Sequence, residues 1–163
     1  MVYNLGSQPK YLGVLPCFHT ALATYGFWPC LISGGEFVLV EKFSRSSFFK
    51  DLADSKARYA SVVPTILQLL LNDEKLNPDL NLSNLKFLGA GSAPLWPELH
   101  QSFEKRFGIL IANQYGLSET APTHFNPPAS KKFGAIGWPL SSCRSWIQEG
   151  EITIQGPSVF SGY

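Results

Sequence analysis

Leu85-Lys86-Phe87-Leu88-Gly89-Ala90-Gly91-Ser92-Ala93-Pro94 decides the fold class, because a short apolar run opens directly into a turn of glycines and small side chains. Beyond it Trp96, Leu99, Phe103 and Phe107 recur at helical spacing among Glu98, Gln101, Glu104 and Lys105, which predicts a helix with one apolar face. Residues 109–112 supply the next short strand. The unit is strand, loop, helix, strand, and such units build a parallel sheet layered by helices.

The same order runs back toward the N-terminus. Residues 11–15 form a strand candidate closed by Pro16, and residues 21–32 read as a helix carrying Leu22, Tyr25 and Phe27. Gly34 and Gly35 break the chain before Phe37-Val38-Leu39-Val40, whose β-branched and aromatic content with little alternation predicts a strand covered on both faces. Phe48, Phe49, Leu52 and Ala53 mark a helix that nearby serines could cap. Residues 59–63 read as a strand, and Pro64 suits the first turn of a helix burying Ile66, Leu67, Leu69, Leu70 and Leu71. Asn72, Asp73 and Asn77-Pro78 end that helix. Toward the C-terminus, Glu151-Ile152-Thr153-Ile154-Gln155 alternates as a half-exposed strand does. The expected fold is α/β, a layered and mainly parallel sheet with flanking helices and a β-rich C-terminal segment, divided into residues 1–138 and 139–163.

Composition narrows the function classes. A chain of 163 residues with 45% hydrophobic side chains can bury a core. A net charge of +1 and only 15% charged residues leave no basic surface for nucleic acid. Cys17, Cys30 and Cys143 form neither a CxxC pair nor a cluster with histidine, which suits reduced thiols and a cytoplasmic setting. No run reaches the roughly 18 apolar residues of a transmembrane helix, and the N-terminus lacks the order of a signal peptide, so a soluble protein is expected.

In parallel sheets ligands gather where strands end at their carboxyl side, which selects the loops beginning at Gly89 and Asn113. The first lacks the lysine of a Walker loop and a full GxGxxG pattern, yet its small residues let a flat ligand approach the backbone. A plain tight strand-to-helix turn is the reading that composition alone favours. The second, Asn113-Gln114-Tyr115-Gly116-Leu117-Ser118-Glu119-Thr120, joins an aromatic platform, two hydroxyls and a carboxylate. Tyr115 could stack on a base, Ser118 or Thr120 could donate to phosphate, and Glu119 could bind magnesium. A solvated loop with Tyr115 packed into the core is the bland alternative. His100 and His124 have no companion ligands and read as surface or structural residues.

Several motifs then fall in order: Val14-Leu15-Pro16-Cys17-Phe18-His19, Ser92-Ala93-Pro94, the run 115–120, Gly134-Ala135-Ile136-Gly137-Trp138-Pro139, Gly150-Glu151-Ile152 and Gly162-Tyr163. Together they resemble the adenylate-forming superfamily of acyl-CoA synthetases, luciferases and peptide-synthetase adenylation domains, closest in appearance to the acyl-CoA synthetases. The resemblance implies part of the large N-terminal domain of an ATP-dependent ligase that activates a carboxylic acid as acyl-AMP and passes it to coenzyme A. It implies ATP and Mg2+ as cofactors, with Ser92, Ala93 and Pro94 bordering adenine and Asn113 at its edge. By the same resemblance Tyr115 would stack on the ring, Gly116 would belong to the nucleotide-binding set, Ser118 would approach the α-phosphate and Glu119 would hold the metal. Ser118 and Glu119 are thus the expected catalytic pair, and the resemblance assigns His19 to the acyl pocket, with a structural hydrogen-bonding residue as the alternative.

Leu22 stands where many relatives have glycine, and residues 140–149 are shorter than the hairpin usual in the family. The family's lysine-ending phosphate loop, ribose-binding aspartate and small C-terminal domain are expected to lie outside the chain, so the isolated chain is expected to be inactive. A fragment of an amino-acid adenylation domain and an inactive interaction module stay open as alternatives. So does a homo-oligomer.

Overall fold

The computed structural model describes residues 8–76 and 80–163, so the expected helix stop at Asn77-Pro78 lies outside the described residues. Among the described residues seven strands form one sheet in the order β2-β1-β3-β4-β5-β6-β7. They are β1 Lys10–Gly13, β2 Glu36–Leu39, β3 Tyr59–Val62, β4 Phe87–Gly91, β5 Ile111–Leu117, β6 Ala121–Asn126 and β7 Trp138–Pro139. The first five are parallel and the last two antiparallel. A separate hairpin, β8 Arg144–Gln148 and β9 Glu151–Gln155, turns at Glu149 and Gly150, both with positive φ.

Side-chain alternation divides the sheet into two dissimilar faces. Leu12, Val14, Ala60, Val62, Leu88, Ala90 and Ile111 meet α3 Phe48–Ser55, α4 Pro64–Leu71 and α5 Pro97–Phe107, where Phe48, Leu67, Leu70 and Phe103 complete the main core. Pro64 and Pro97 stand at the starts of α4 and α5, where a missing amide donor costs nothing. Gly108 caps α5 with φ 67, and Arg106 spreads its guanidinium over the carbonyls of Leu71, Asp73 and Leu76, satisfying acceptors that the end of α4 leaves free.

The opposite face carries Tyr11, Tyr59 and Phe87 under α1 Thr20–Leu22 and α2 Trp28–Ser33, which are joined by a π-helical turn at Ala23–Phe27. The expected continuous helix over residues 21–32 is therefore interrupted. Pro29 has no amide to donate, and the turn before it is wider, with Trp28 N bonded to Ala23 O. Gly26 lies where the Tyr11 ring presses on the helix, leaving no space for a Cβ.

Several expectations change. Among the described residues β2 is the edge strand, paired only with β1, with Glu36 and Leu39 exposed. Its apolar residues pack on one neighbour rather than inside the sheet. Leu69 is exposed, and Trp96 precedes α5 at 66% exposure while Leu95 takes the buried position. His100 and His124 are buried structural residues, at 1% and 4% exposure. Gly89, Ala90 and Gly91 belong to β4, and Asn113 to Leu117 belong to β5, so both expected loops start later than their composition suggests. Among the described residues no helix is long and apolar enough to cross a membrane.

Candidate functional site

β4 and β5 end beside one another, and the residue types there follow from how closely their backbones approach. A Cβ on Gly91 would collide with the Gln114 carbonyl, and one on Gly116 with the carbonyl of Ala121 across the β5–β6 hairpin. Ser92 leaves β4 with φ 64, turning Ala93 and Pro94 outward as exposed residues. Asn113 and Tyr115, two residues apart on β5, share the face that Ile111 buries under α5. That face runs from apolar core to polar site along one strand.

A cavity of about 530 Å³ opens there between the turn at Ser92, Ala93 and Pro94, Asn113 and Tyr115 on β5, the Trp96 indole, and a wall containing Gly134 and Ile136. Asn113 Nδ2 donates to Ala135 O at 2.9 Å. Among the described residues its Oδ1 receives no hydrogen bond, so the side chain offers the cavity an acceptor. Tyr115 is met edge-on by His124, with ring centroids 5.6 Å apart and planes at 70°. Thr123 Oγ1 lies 3.4 Å from Tyr115 O and 3.0 Å from His124 Nδ1, and His124 Nε2 lies 2.9 Å from Ser145 Oγ. One proton assignment satisfies all three contacts: Ser145 donates to His124, His124 to Thr123, and Thr123 to Tyr115 O.

Two further cavities adjoin this one. A small one, about 40 Å³, is lined by His19, Thr20, Thr24 and Ser118, with Thr20 Oγ1 3.3 Å from Ser118 Oγ. A larger apolar one, about 800 Å³, lies along Val14, Leu15, Phe43 and Ile66 and also reaches His19. Ser92 borders all three. His19 caps α1 by accepting from Ala21 N at 3.1 Å through Nδ1, so the neutral ring carries its proton on Nε2.

Glu119 sits half-buried in the β5–β6 turn, between exposed Ser118 and buried Thr120. Its Oε1 accepts from Tyr163 Oη at 2.6 Å, a bond that holds its pKa below the usual carboxylate value, and its backbone oxygen accepts from Phe160 N at 2.8 Å. The Thr120 hydroxyl is committed, accepting from Leu117 N and donating to Ala121 O, which leaves Ser118 as the turn's available donor. Among the described residues no three His, Cys, Asp or Glu side chains cluster as a self-sufficient metal site. The structure therefore brings together Ser92, Ala93, Pro94, Asn113, Tyr115 and Gly116 around one cavity and places His19 and Ser118 at its neighbour, with Glu119 next along the chain. Trp96 and Thr20 were missed, Trp96 because its spacing matched the helix face. Thr20, next to His19, gave no spacing signal.

The buried histidines set an expected pH dependence. Burial pushes His100 and His124 below their ordinary value of 6.5, with Glu104 partly offsetting the effect at His100. The unfolded chain then binds more protons than the folded one once the pH falls below about 6.5. Urea midpoints are expected to stay level down to that value and to decline as acidification continues toward the folded-state pKa values. A midpoint that rises between about pH 6.5 and 5.5 would contradict the burial of both rings.

The AMP-binding enzyme family model matches residues 1–163. A sulfoacetate–CoA ligase from Cupriavidus necator is 37% identical over 174 aligned residues, covering 98% of this chain and 33% of the relative. A long-chain-fatty-acid–CoA ligase from Bacillus subtilis is 35% identical, covering 94% and 30% respectively. The ATP-bound MatB structure from Rhodopseudomonas palustris superposes with a TM-score of 0.87 at 23% identity, covering 99% of this chain and 34% of that one. O-succinylbenzoate coenzyme A synthetase from Bacillus subtilis, solved with ATP and magnesium, gives a TM-score of 0.80 at 25% identity, covering 97% and 35%. The chain spans about a third of the length of these proteins. With a family model matching along its whole length, the chain belongs to the AMP-binding enzyme family, within the adenylate-forming superfamily.

Proposed function

We propose that the chain is the adenine-binding and phosphate-approach part of an ATP-dependent ligase that activates a carboxylic acid and passes the acyl group to coenzyme A. The observation that carries the reading is the pairing of Asn113 and Tyr115 on one face of β5, across a cavity from the small residues of the β4 turn. The cavity provides a flat aromatic surface, an acceptor at Asn113 Oδ1 for an exocyclic amine, and close backbone approach at Ser92, Ala93 and Pro94. Gly116 and Ser118 continue from the base end toward the phosphates. Residues 1–138 form the α/β unit in this reading, and residues 139–163 begin a β-rich one.

Glu119 fits magnesium as a hard, half-buried oxygen donor. Magnesium usually takes one or two carboxylates together with substrate phosphates, so Glu119 would hold an ion that arrives with ATP. When bound, the ion neutralises charge building on phosphate oxygens. Ser118 donates to the α-phosphate, and the alignment of carboxylate with phosphorus is the main catalytic task. The acid attacks that phosphorus, releasing pyrophosphate and forming the acyl adenylate. The thiol then displaces AMP at the carbonyl. His19, which lines both the small and the apolar cavities, borders the acid and the thiol route in this reading. A cytoplasmic location goes with this reading.

Tyr115→Ala tests the base end. Base–aromatic stacking is worth about 1–3 kcal/mol, so AMP affinity measured by calorimetry should fall roughly tenfold to a hundredfold while the melting temperature changes little. Unchanged AMP binding in the folded variant would remove Tyr115 from the site. The acyl class is tested separately, by AMP release with fatty or aromatic acids plus coenzyme A against amino acids plus a carrier domain.

A further inference from the structure

The wall opposite Tyr115 has its own supports. Asn126 on β6 is buried at 1% exposure and is the cross-strand neighbour of Asn113. Its Nδ2 donates to Lys132 O at 2.8 Å and to Ala135 O at 3.0 Å, and its Oδ1 accepts from Lys132 N at 3.1 Å. Asn113 Nδ2 donates to that same Ala135 oxygen at 2.9 Å. Two amides from adjacent strands thus converge on one carbonyl, and the segment they hold contributes Gly134 and Ile136 to the cavity. A further tie comes from Lys131, whose ammonium pairs with Glu104 of α5 at 2.8 Å.

A primary amide can present either end to a cavity, and the orientation is fixed only by what its other end bonds. Ala135 O fixes it for Asn113: the amine is drawn to the wall and the oxygen is left for the ligand. Asn126 holds Ala135 O where this can happen. We propose that Asn126 is a positioning residue for base selectivity, acting through Ala135 O to keep Asn113 Oδ1 as an acceptor and so to favour a 6-amino over a 6-oxo purine. This rests on the nucleotide reading above. A 6-amino group donates to that oxygen, whereas a 6-oxo group opposes it with a second acceptor.

The ligands that isolate the effect are AMP and IMP, which differ at the purine 6-position. Both are titrated against the folded chain, the Tyr115→Ala variant and Asn126→Leu, a substitution of similar volume that removes all three bonds. The wild-type chain should prefer AMP by about tenfold or more, the discrimination expected where a buried polar group must be paired. Asn126→Leu should lose most of that preference, with AMP weakened about tenfold and IMP nearly unchanged, while Tyr115→Ala should weaken both ligands alike. Asn126→Ser, too short to reach Ala135, makes the same prediction if the leucine variant does not fold. A folded Asn126 variant that keeps the wild-type AMP to IMP ratio overturns the inference and leaves the nucleotide reading intact. A wild-type chain that binds neither ligand defeats the nucleotide reading and the inference with it.

Discussion

Glu119→Gln is expected to make ATP binding by the chain indifferent to magnesium, and to lower acid-dependent pyrophosphate exchange roughly a hundredfold or more in any catalytically competent form of the protein. The substitution keeps the size of the side chain and an oxygen that can still accept from Tyr163, so the local contacts survive. What it removes is the negative charge, and neutral amide oxygen is a far poorer partner for a small divalent cation. The readout pairs ATP titrations with and without magnesium against exchange of labelled pyrophosphate, using a no-acid control. AMP binding serves as the internal reference, because the base end is left untouched. Full retention of magnesium dependence together with full exchange would strip Glu119 of its role.

Gly137→Ala is expected to destabilise the fold by about 3 kcal/mol or more and to abolish AMP binding under conditions where the wild type binds. Two independent penalties coincide at this residue. Its φ is 92, in the region L side chains rarely adopt, and an added Cβ would land inside the Phe125 carbonyl and against the Asn126 amide. Those are backbone atoms of β6, so no rotamer change relieves the collision, and the strand that shifts is the one carrying Asn126. Gly150 supplies the control. It has φ 85 in the β8–β9 turn but nothing within 4 Å of an added Cβ, so Gly150→Ala should cost only the backbone strain, about 1–2 kcal/mol, and leave AMP binding intact. Equal losses for the two variants would show that strain rather than collision dominates.

The parallel sheet was legible because each of β1 to β4 is followed by a helix, with apolar residues repeating at the helical period as with Phe103 and Phe107 after residues 85–88. Its edges were not. Phe37 and Val38 look like a central strand by composition, but position within a sheet is set by long-range pairing that a local window does not contain. The antiparallel return at β6 was hidden for a related reason: Asn113 to Leu117 carries polar and glycine residues that read as loop, while the observed strand is sustained by ladder bonds to β6 that continue across a register shift between Tyr115 and Gly116. The candidate site residues came from their order along the chain. Their geometry came from the alternation on β5, which was present in the sequence but masked by the loop reading. Asn126 gave no signal, because a buried asparagine and a surface one are spelled alike.

The placement of Asn113 and Tyr115 within a strand, with Ser118 and Glu119 in the turn beyond it, also bears on how such a site can vary. Inserting or deleting one residue upstream in β5 sends both Asn113 and Tyr115 to the opposite face, where α1 and Gln114 lie. The two groups are therefore inherited together or lost together, and drift at this end can proceed only by substitution in place. The turn carries no such parity, since its residues answer to loop length and not to a two-residue alternation. Under the proposed function, changes at the phosphate end would accumulate there singly while the choice of base stayed fixed by the strand.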